Sequence, residues 1–428
     1  MTLFGTSGIR RIADGSLVEL ALRVGLAVGR VYRNVVVGRD TRTSSDALKY
    51  AFISGLLSAG ARCCDTGVVP TPTLALAARE FQVGAMITAS HNPPEYNGIK
   101  LLNTDGSGFD SKQREEIEEI VLSASSPAVL WSEIKSNSIY NGAIEKHIEH
   151  IIKDFPCELM GKVVLDCGCG ATSAITPYLL TRMGCNVVAL NCYPSGFFPH
   201  PVEPIETNLG DLIRTTKESG GIGIAHDGDG DRMMVVDDSG RFISGDKLLV
   251  LFAQLLGVKE VVTTIDTSMV IDEMGFNVTR TRVGDIYVSE ELRKGGDFGG
   301  EPSGAWVFPK NSLCPDGIYA AVLLLAMSSE QSLAKLVDQI PQYPILRGSI
   351  TSDGVEVSRL ERCLLGIKPL SISYVDGIKL TFEDGWLLIR VSGTEPKIRL
   401  TAEAKTEARV HELYASGMRA IKECVKEE

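Results

Sequence analysis

Val35-Val36-Val37-Gly38-Arg39-Asp40-Thr41 opens on three β-branched residues and closes on small and polar ones. Three valines in a row, without polar alternation, read as a strand buried on both faces. The pattern returns as Val163-Val164-Leu165-Asp166-Cys167-Gly168 and as Val261-Val262-Thr263-Thr264-Ile265-Asp266-Thr267. A helix-like segment follows each, so the sequence predicts an α/β protein with three similar modules of mixed sheets whose strands are mostly parallel. The polar strand ends are where ligands bind in open α/β sheets. The remainder is built differently. Residues 386–391 and 397–404 read as strands about a loop, and 407–425 as a closing helix with Val410, Leu413, Tyr414, Met418 and Ile421 near helical spacing. Breaks near 136–141, 239–245 and 341–344 divide the chain into 1–140, 141–244, 245–341 and a smaller α+β domain, 342–428.

Composition narrows the function. The net charge of -11 is spread along the 428 residues, which argues against a nucleic-acid surface but not against a small anionic substrate held by local cations. The start lacks a signal segment, and the longest apolar run, 318–327, is too short to span a bilayer; the expected location is cytoplasmic, with no membrane partner. The 10 cysteines show no C-x-x-C spacing and are expected as reduced thiols, each a small core residue.

The chemistry-bearing segments are separated. Ser90 lies in Thr88-Ala89-Ser90-His91-Asn92-Pro93, directly after an apolar run; His91 can orient it or relay a proton, and Pro93-Pro94 stiffen the exit. Taken alone, such a Ser is usually a turn or cap residue. Lys100 is a candidate phosphate partner or acid/base. Asp227-Gly228-Asp229-Gly230-Asp231 follows one strand-like run and precedes another, and its glycines let three carboxylates converge as hard ligands for Mg²⁺. The EF-hand reading fails, because Arg232 and Asp238 stand where Gly and Glu are required and the flanks are strands. A hydroxyl nucleophile with a hard-metal site is the minimum for phosphoryl transfer through a covalent enzyme intermediate.

Arg390-Val391-Ser392-Gly393-Thr394-Glu395-Pro396 offers successive N–H groups, two hydroxyls and Arg390 to an anion, with Arg399 beyond it; the plain alternative is a hairpin turn. Gly299-Gly300-Glu301-Pro302-Ser303-Gly304 holds a carboxylate and a hydroxyl able to grip sugar hydroxyls. Gly5-Thr6-Ser7-Gly8-Ile9-Arg10 is glycine-rich but is not a Walker loop.

In this order, these segments resemble the α-phosphohexomutase family over nearly the whole chain. The resemblance implies four domains around a central cleft, each giving one loop. Ser90 would be the phosphorylated residue and would complete a Mg²⁺ shell with Asp227, Asp229 and Asp231, one ion per chain. Arg10, His91, Lys100 and Arg232 match positions that line the family's active site. Glu301 and Ser303 match the sugar loop, and Ser392, Gly393 and Thr394 the phosphate loop. Thr281-Arg282-Val283-Gly284-Asp285 and Asn92-Pro93-Pro94-Glu95-Tyr96-Asn97-Gly98 are most similar to archaeal phosphoglucosamine mutases; Arg282 stands where relatives usually carry Lys, and Ala305 where many bacterial ones carry His. That resemblance implies interconversion of glucosamine 6-phosphate and glucosamine 1-phosphate, feeding UDP-N-acetylglucosamine synthesis, with a hexosamine 1,6-bisphosphate as intermediate and activator. It implies a phosphosugar as the partner, and a monomer or homodimer. The alternatives are a phosphomannomutase/phosphoglucomutase, a non-catalytic sugar-phosphate-binding protein, and a phosphatase with leaky water access.

Overall fold

The computed structural model describes residues 3–123, 128–327, 331–351, 357–391 and 397–426, which form four sheets. Each valine run becomes a central parallel strand. Asn34–Arg39 lies between Arg62–Val68 and Val83–Ile87, and Lys162–Asp166 between Asn186–Leu190 and Ile222–His226. Glu260–Thr264 lies between Asn277–Thr281 and Phe298–Gly300. Val35, Val36 and Val37 are all fully buried, as helices on both faces of a parallel sheet require.

The three sheets are mixed, as expected, with parallel centres and antiparallel returns at one side: Val83–Ile87 returns antiparallel as Tyr96–Leu102, Ile222–His226 as Met233–Val236, and Phe298–Gly300 as Trp306–Val307. A short connection permits only an antiparallel return, whereas parallel pairing needs a crossover of a dozen or more residues. The three short connections are the Ser90, aspartate and Glu301 loops, so the three sheets place them equivalently. The helix expected after the third valine run shrinks to Val270–Glu273.

The fourth sheet is wholly antiparallel, in the order Ile345–Thr351, Lys397–Ala404, Gly385–Val391, Ile378–Phe382, Ser371–Ser373. The closing helix, Glu407–Lys426, buries Val410, Leu413 and Ile421 against Leu387 and Leu400 of the sheet. The cysteines depart from expectation. Cys363 and Cys424 form a disulfide between helices, their Cα atoms 6.5 Å apart and within bridging range, and Cys157 is exposed. The second and third sheets share one core, in which Phe252, Phe298, Trp306 and Phe308 pack in tilted, edge-to-face and stacked pairs. The apolar run near 318–327 is the buried helix Gly317–Met327 within it, and no described helix is long and apolar enough to cross a membrane.

Candidate active site

Ser90 occupies the left-handed region at φ 50°, a conformation costing a non-glycine residue about 1–3 kcal/mol, so its surroundings must impose it. They do so through Arg42, which is 1 % exposed. Its guanidinium donates to the carbonyl oxygens of Ser90 (2.7 Å), Asn92 (2.6 Å), Pro93 (2.7 Å) and Tyr96 (2.9 Å), and to Asp40 Oδ2 (3.1 Å). Asp40 also accepts from Thr88 Oγ1 at 2.7 Å, and Thr88 Oγ1 accepts from the Ser90 N–H at 2.9 Å. The polar end of the first valine strand thus holds the Ser90 loop. Sequence reading marked that strand end but missed Arg42.

Held this way, Ser90 Oγ donates to Asp227 Oδ2 at 2.6 Å and lies 3.4 Å from His91 Nδ1. Gly228 is obligatory here, since a Cβ would fall 2.7 Å from the Ser90 carbonyl oxygen. Gly230, at φ 74°, turns the loop back so that the Gly230 and Arg232 N–H groups donate to Asp227 Oδ1 at 3.0 and 3.2 Å. One ligand oxygen from each of Asp227, Asp229 and Asp231 falls within 4.8 Å of the others, and all three side chains are buried.

Lys100 Nζ ion-pairs with Asp229 Oδ2 at 2.8 Å and with Asp231 Oδ2 at 2.5 Å. Burial opposes its charge, but these two carboxylates outweigh burial and raise the ammonium above its ordinary range. Asp229 Oδ2 also accepts from Thr71 Oγ1 at 2.5 Å. Asp229 Oδ1 and Asp231 Oδ1 remain, buried and without a donor among the described residues. Burial, then repulsion from Asp231 and Asp229, pushes the Asp227 carboxyl well above the usual carboxylate range. Two open carboxylate oxygens beside a third, destabilised carboxylate are the donor set a hard divalent cation requires. The residues therefore fit Mg²⁺.

The cations around this centre are local. Arg10 donates to Asn92 Oδ1 at 2.9 Å, while its Nε is buried and without a partner among the described residues. Arg232 reaches Glu203 Oε1 at 3.4 Å, a residue that sequence reading did not single out. Burial first, then Arg232, Arg10 and Lys100, drives the His91 imidazole down to about 2, so it is neutral at ordinary pH.

An antiparallel bridge between Arg232 and Ala305 joins the aspartate and Glu301 loops, supported by Met233 N donating to Gly304 O at 2.9 Å. Glu301 accepts from the Gly284 N–H at 2.8 Å and from Ser303 Oγ at 3.4 Å. Burial, reinforced by Asp285, lifts its carboxyl to about 7. Asp285, quoted in the sequence but given no role there, accepts from Ser7 Oγ at 2.9 Å and ties the N-terminal segment to the third sheet.

The outer residues sit differently. Arg282 Nε donates to Val375 O at 3.2 Å, at the seam with the fourth sheet. Arg390 pairs with Asp376 at 2.8 Å, and Asp376 accepts from the Val283 N–H at 3.1 Å. Arg390 and Arg399 are direct cross-strand partners. Ser392, Gly393 and Thr394 lie outside the described residues.

Comparison with known proteins agrees with this fold. The chain matches the phosphoglucomutase/phosphomannomutase α/β/α domains I, II and III at residues 1–128, 145–240 and 244–343, and the C-terminal domain at 356–418. It is 47% identical to a probable phosphoglucosamine mutase of Methanocella arvoryzae, covering 99% of each chain. It is 40% identical to the phosphoglucosamine mutase of Methanocaldococcus jannaschii, again over 99% of each. A phosphoglucomutase/phosphomannomutase family protein of Burkholderia thailandensis superposes with a TM-score of 0.87 at 28% identity, covering 99% of this chain and 98% of that one. An N-acetylphosphoglucosamine mutase of Aspergillus fumigatus, solved with GlcNAc-6P and magnesium, shares the fold with a TM-score of 0.66 at 14% identity, over 99% and 96% of the two chains. With its four matched domains and full-length relatives, the chain belongs to the α-phosphohexomutase family, whose members are phosphosugar isomerases.

Proposed function

We propose that this protein interconverts glucosamine 6-phosphate and glucosamine 1-phosphate through a phosphoserine at Ser90 and a hexosamine 1,6-bisphosphate. The observation that carries the reading is Ser90 Oγ, fixed in a left-handed turn 2.6 Å from Asp227 and beside carboxylates with open oxygens. The amino sugar is favoured by phosphoglucosamine mutase relatives at 40 to 47% identity. The acidic surroundings of Glu301, with Asp285 and Asp266 acting on it, agree, since an ammonium-bearing sugar suits them better than a neutral one.

In the forward half, O1 of the 6-phosphate attacks the phosphorus of phospho-Ser90, the P–Oγ bond breaks, and the proton that O1 loses is balanced by the one Oγ takes up. The bisphosphate then turns over. In the return half, Ser90 Oγ attacks the phosphorus of the 6-phosphoryl group and the P–O6 bond breaks. The Oγ proton leaves along the hydrogen bond it already makes to Asp227, and O6 takes up a proton to give the free 6-hydroxyl of the 1-phosphate. Ser90, Asp227, Asp229 and Asp231 would hold Mg²⁺, which supplies charge stabilisation to the transferring phosphoryl group. Lys100 keeps its proton and fixes the orientation of two of the acids. Arg10 and Arg232 add fixed positive charge where the phosphoryl group moves, and such preorganised donors are worth about 10²–10³ in rate apiece. Glu301 and Ser303 orient the sugar. Arg390 and Arg399, with the Ser392–Thr394 loop, hold the phosphate that is not reacting.

Replacing Ser90 by Ala should abolish turnover while leaving phosphosugar binding by calorimetry within a few-fold. Retained turnover would refute the covalent role. Steady-state rates on glucosamine, mannose and glucose phosphates decide the sugar, and a mannose or glucose preference would overturn that part alone.

A further inference from the structure

The aspartate loop is gripped from both sides by the starts of two helices. On one side, Thr71, first residue of Thr71–Ala78, donates its N–H to Asp229 O at 2.8 Å and its hydroxyl to Asp229 Oδ2 at 2.5 Å. On the other, Gly317, first residue of Gly317–Met327, donates its N–H to Gly230 O at 3.2 Å. The approach is so close that a Cβ on Gly317 would lie 2.5 Å from Arg232 O. The two helices belong to different domains, and a third element spans them. His147, on the helix Ala143–Asp154 that connects the first sheet to the second, is 1 % exposed. Its Nδ1 lies 2.8 Å from Thr73 Oγ1 and its Nε2 lies 3.0 Å from Asp316 Oδ2. Thr73 is two residues beyond Thr71 on one helix, and Asp316 immediately precedes Gly317 on the other.

The bond to Asp316 has one sensible direction. A carboxylate only accepts, so Nε2 carries a proton in either charge state of the ring. Asp316 has no spare oxygen: Oδ1 caps its own helix by accepting from the N–H groups of Ile318 and Tyr319 at 3.0 and 2.9 Å, which leaves Oδ2 for His147. The imidazole therefore fixes the Asp316 side chain, and with it the helix start that presents Gly317 to the loop. Through Thr73 it fixes the other support as well. None of the three groups touches the carboxylate oxygens of the aspartates directly.

We infer that His147 is a positioning residue for the metal loop: by clipping Thr73 to Asp316 it sets the distance between the two supports and so the spacing of Asp227, Asp229 and Asp231. The inference rests on the reading that these aspartates hold the divalent ion. Outer partners that orient metal ligands are typically worth about 10–100-fold in metal affinity. His147 acts one step further out, so about 5–20-fold is expected here.

The test is calorimetric titration of Mg²⁺ into folded, full-length wild type, His147→Leu, His147→Gln and Thr73→Val. The expected result is a Kd for Mg²⁺ raised about 5–20-fold in His147→Leu and less in Thr73→Val. His147→Gln should recover part of the loss, because its amide N–H can still reach Asp316. In steady state, kcat should fall at limiting Mg²⁺ and return when Mg²⁺ is raised, with the phosphosugar KM within about twofold of wild type. A merely structural histidine would lower the melting temperature and leave the Mg²⁺ Kd unchanged, and that result overturns the inference. Should His147→Leu fail to fold, Thr73→Val decides by the same criterion. If the wild type itself takes up no Mg²⁺, it is the metal-site reading that fails.

Discussion

Replacing Lys100 by Met removes a buried cation and leaves two buried carboxylates behind. Lys100 is 6 % exposed, and its ammonium lies 2.8 Å from Asp229 and 2.5 Å from Asp231. At an effective dielectric near 20, each pair is worth about 6 kcal/mol of Coulomb energy, against a desolvation penalty of several kcal/mol for each ion. Truncating one partner of such a buried arrangement costs about 3–5 kcal/mol. At about 2–4 °C per kcal/mol, the transition of this region should fall by about 6–20 °C in the absence of metal. Two further signatures separate this argument from a simple packing loss. Saturating Mg²⁺ neutralises the same acids from the side of their open oxygens, so it should shrink the deficit by about 1–2 kcal/mol. The stranded carboxyls should also titrate above their unfolded values. A carboxyl raised in the folded state contributes a penalty that grows as pH rises above about 4, so the deficit should narrow as pH is lowered from 8 towards 5. The assay is scanning calorimetry of wild type and Lys100→Met, with and without Mg²⁺, at pH 8, 7 and 5. A deficit that is indifferent to both Mg²⁺ and pH would refute the electrostatic account. Turnover should fall at least about 100-fold, as the loss of a preorganised charged donor implies.

Arg42→Lys keeps the charge but cannot reproduce the fork of bonds to Ser90, Asn92, Pro93, Tyr96 and Asp40; kcat should fall about 10–100-fold with KM nearly unchanged, and unaltered kcat would contradict the role assigned to it. At the seam between the third and fourth sheets, burial and then Arg280 drive the Lys379 ammonium from 10.5 down to about 7. The folded state is then neutral there while the unfolded state stays charged, so stability should rise with pH from 7 to about 10, by up to about 5 kcal/mol. The Trp386 face at 4.2 Å and the Ile265 carbonyl at 2.7 Å both favour the ammonium and reduce that gain. Denaturant unfolding followed by tryptophan fluorescence across that range should show the slope in wild type and lose it in Lys379→Met; an equal slope in both would exclude Lys379 as its source.

The three loops of the candidate site were legible as segments because each compresses its residues between β-branched runs: Ser90 with its prolines, the alternating Asp-Gly of 227–231, and Glu301 and Ser303 among glycines. Their equivalent placement in the three sheets was not, since which neighbour a return strand pairs with is not written in its own composition. Arg42 escaped for a different reason. An arginine just past a strand end is ordinarily solvated, and only burial reveals that it collects four carbonyls. The Cys363–Cys424 bridge carries no spacing signal at all, its partners standing 61 residues apart and brought together only by packing of the last domain's helices. Arg282 was legible as a residue of the right segment, yet its Nε contact with Val375 depends on a domain seam that no local pattern encodes.

The proposed reaction asks two opposed things of the protein, and the geometry assigns them to different places. Phosphoryl transfer needs a reacting end fixed to within a fraction of an ångström. Ser90, Lys100 and the aspartates have that, because residues of all three mixed sheets are stitched through them: Lys100 to Asp229 and Asp231, Arg232 to Ala305, and Ser7 to Asp285 beside them. A bisphosphate that must turn over without escaping needs its other end held by something able to shift. The arginines for that end stand on the fourth sheet, which meets the third through an apolar patch of Ile265, Trp386 and Leu388 and through single bonds such as Met269 N to Glu403 at 2.7 Å. Asp376 is the point where the two demands meet, because one carboxylate both accepts from the Val283 N–H and neutralises Arg390. A phosphate arriving at Arg390 competes for the cation that holds Asp376 in place, and Asp376 in turn anchors the segment carrying Arg282 and Gly284, the residue that donates to Glu301. On this reading, gripping the distal phosphate and resetting the sugar loop are parts of one rearrangement.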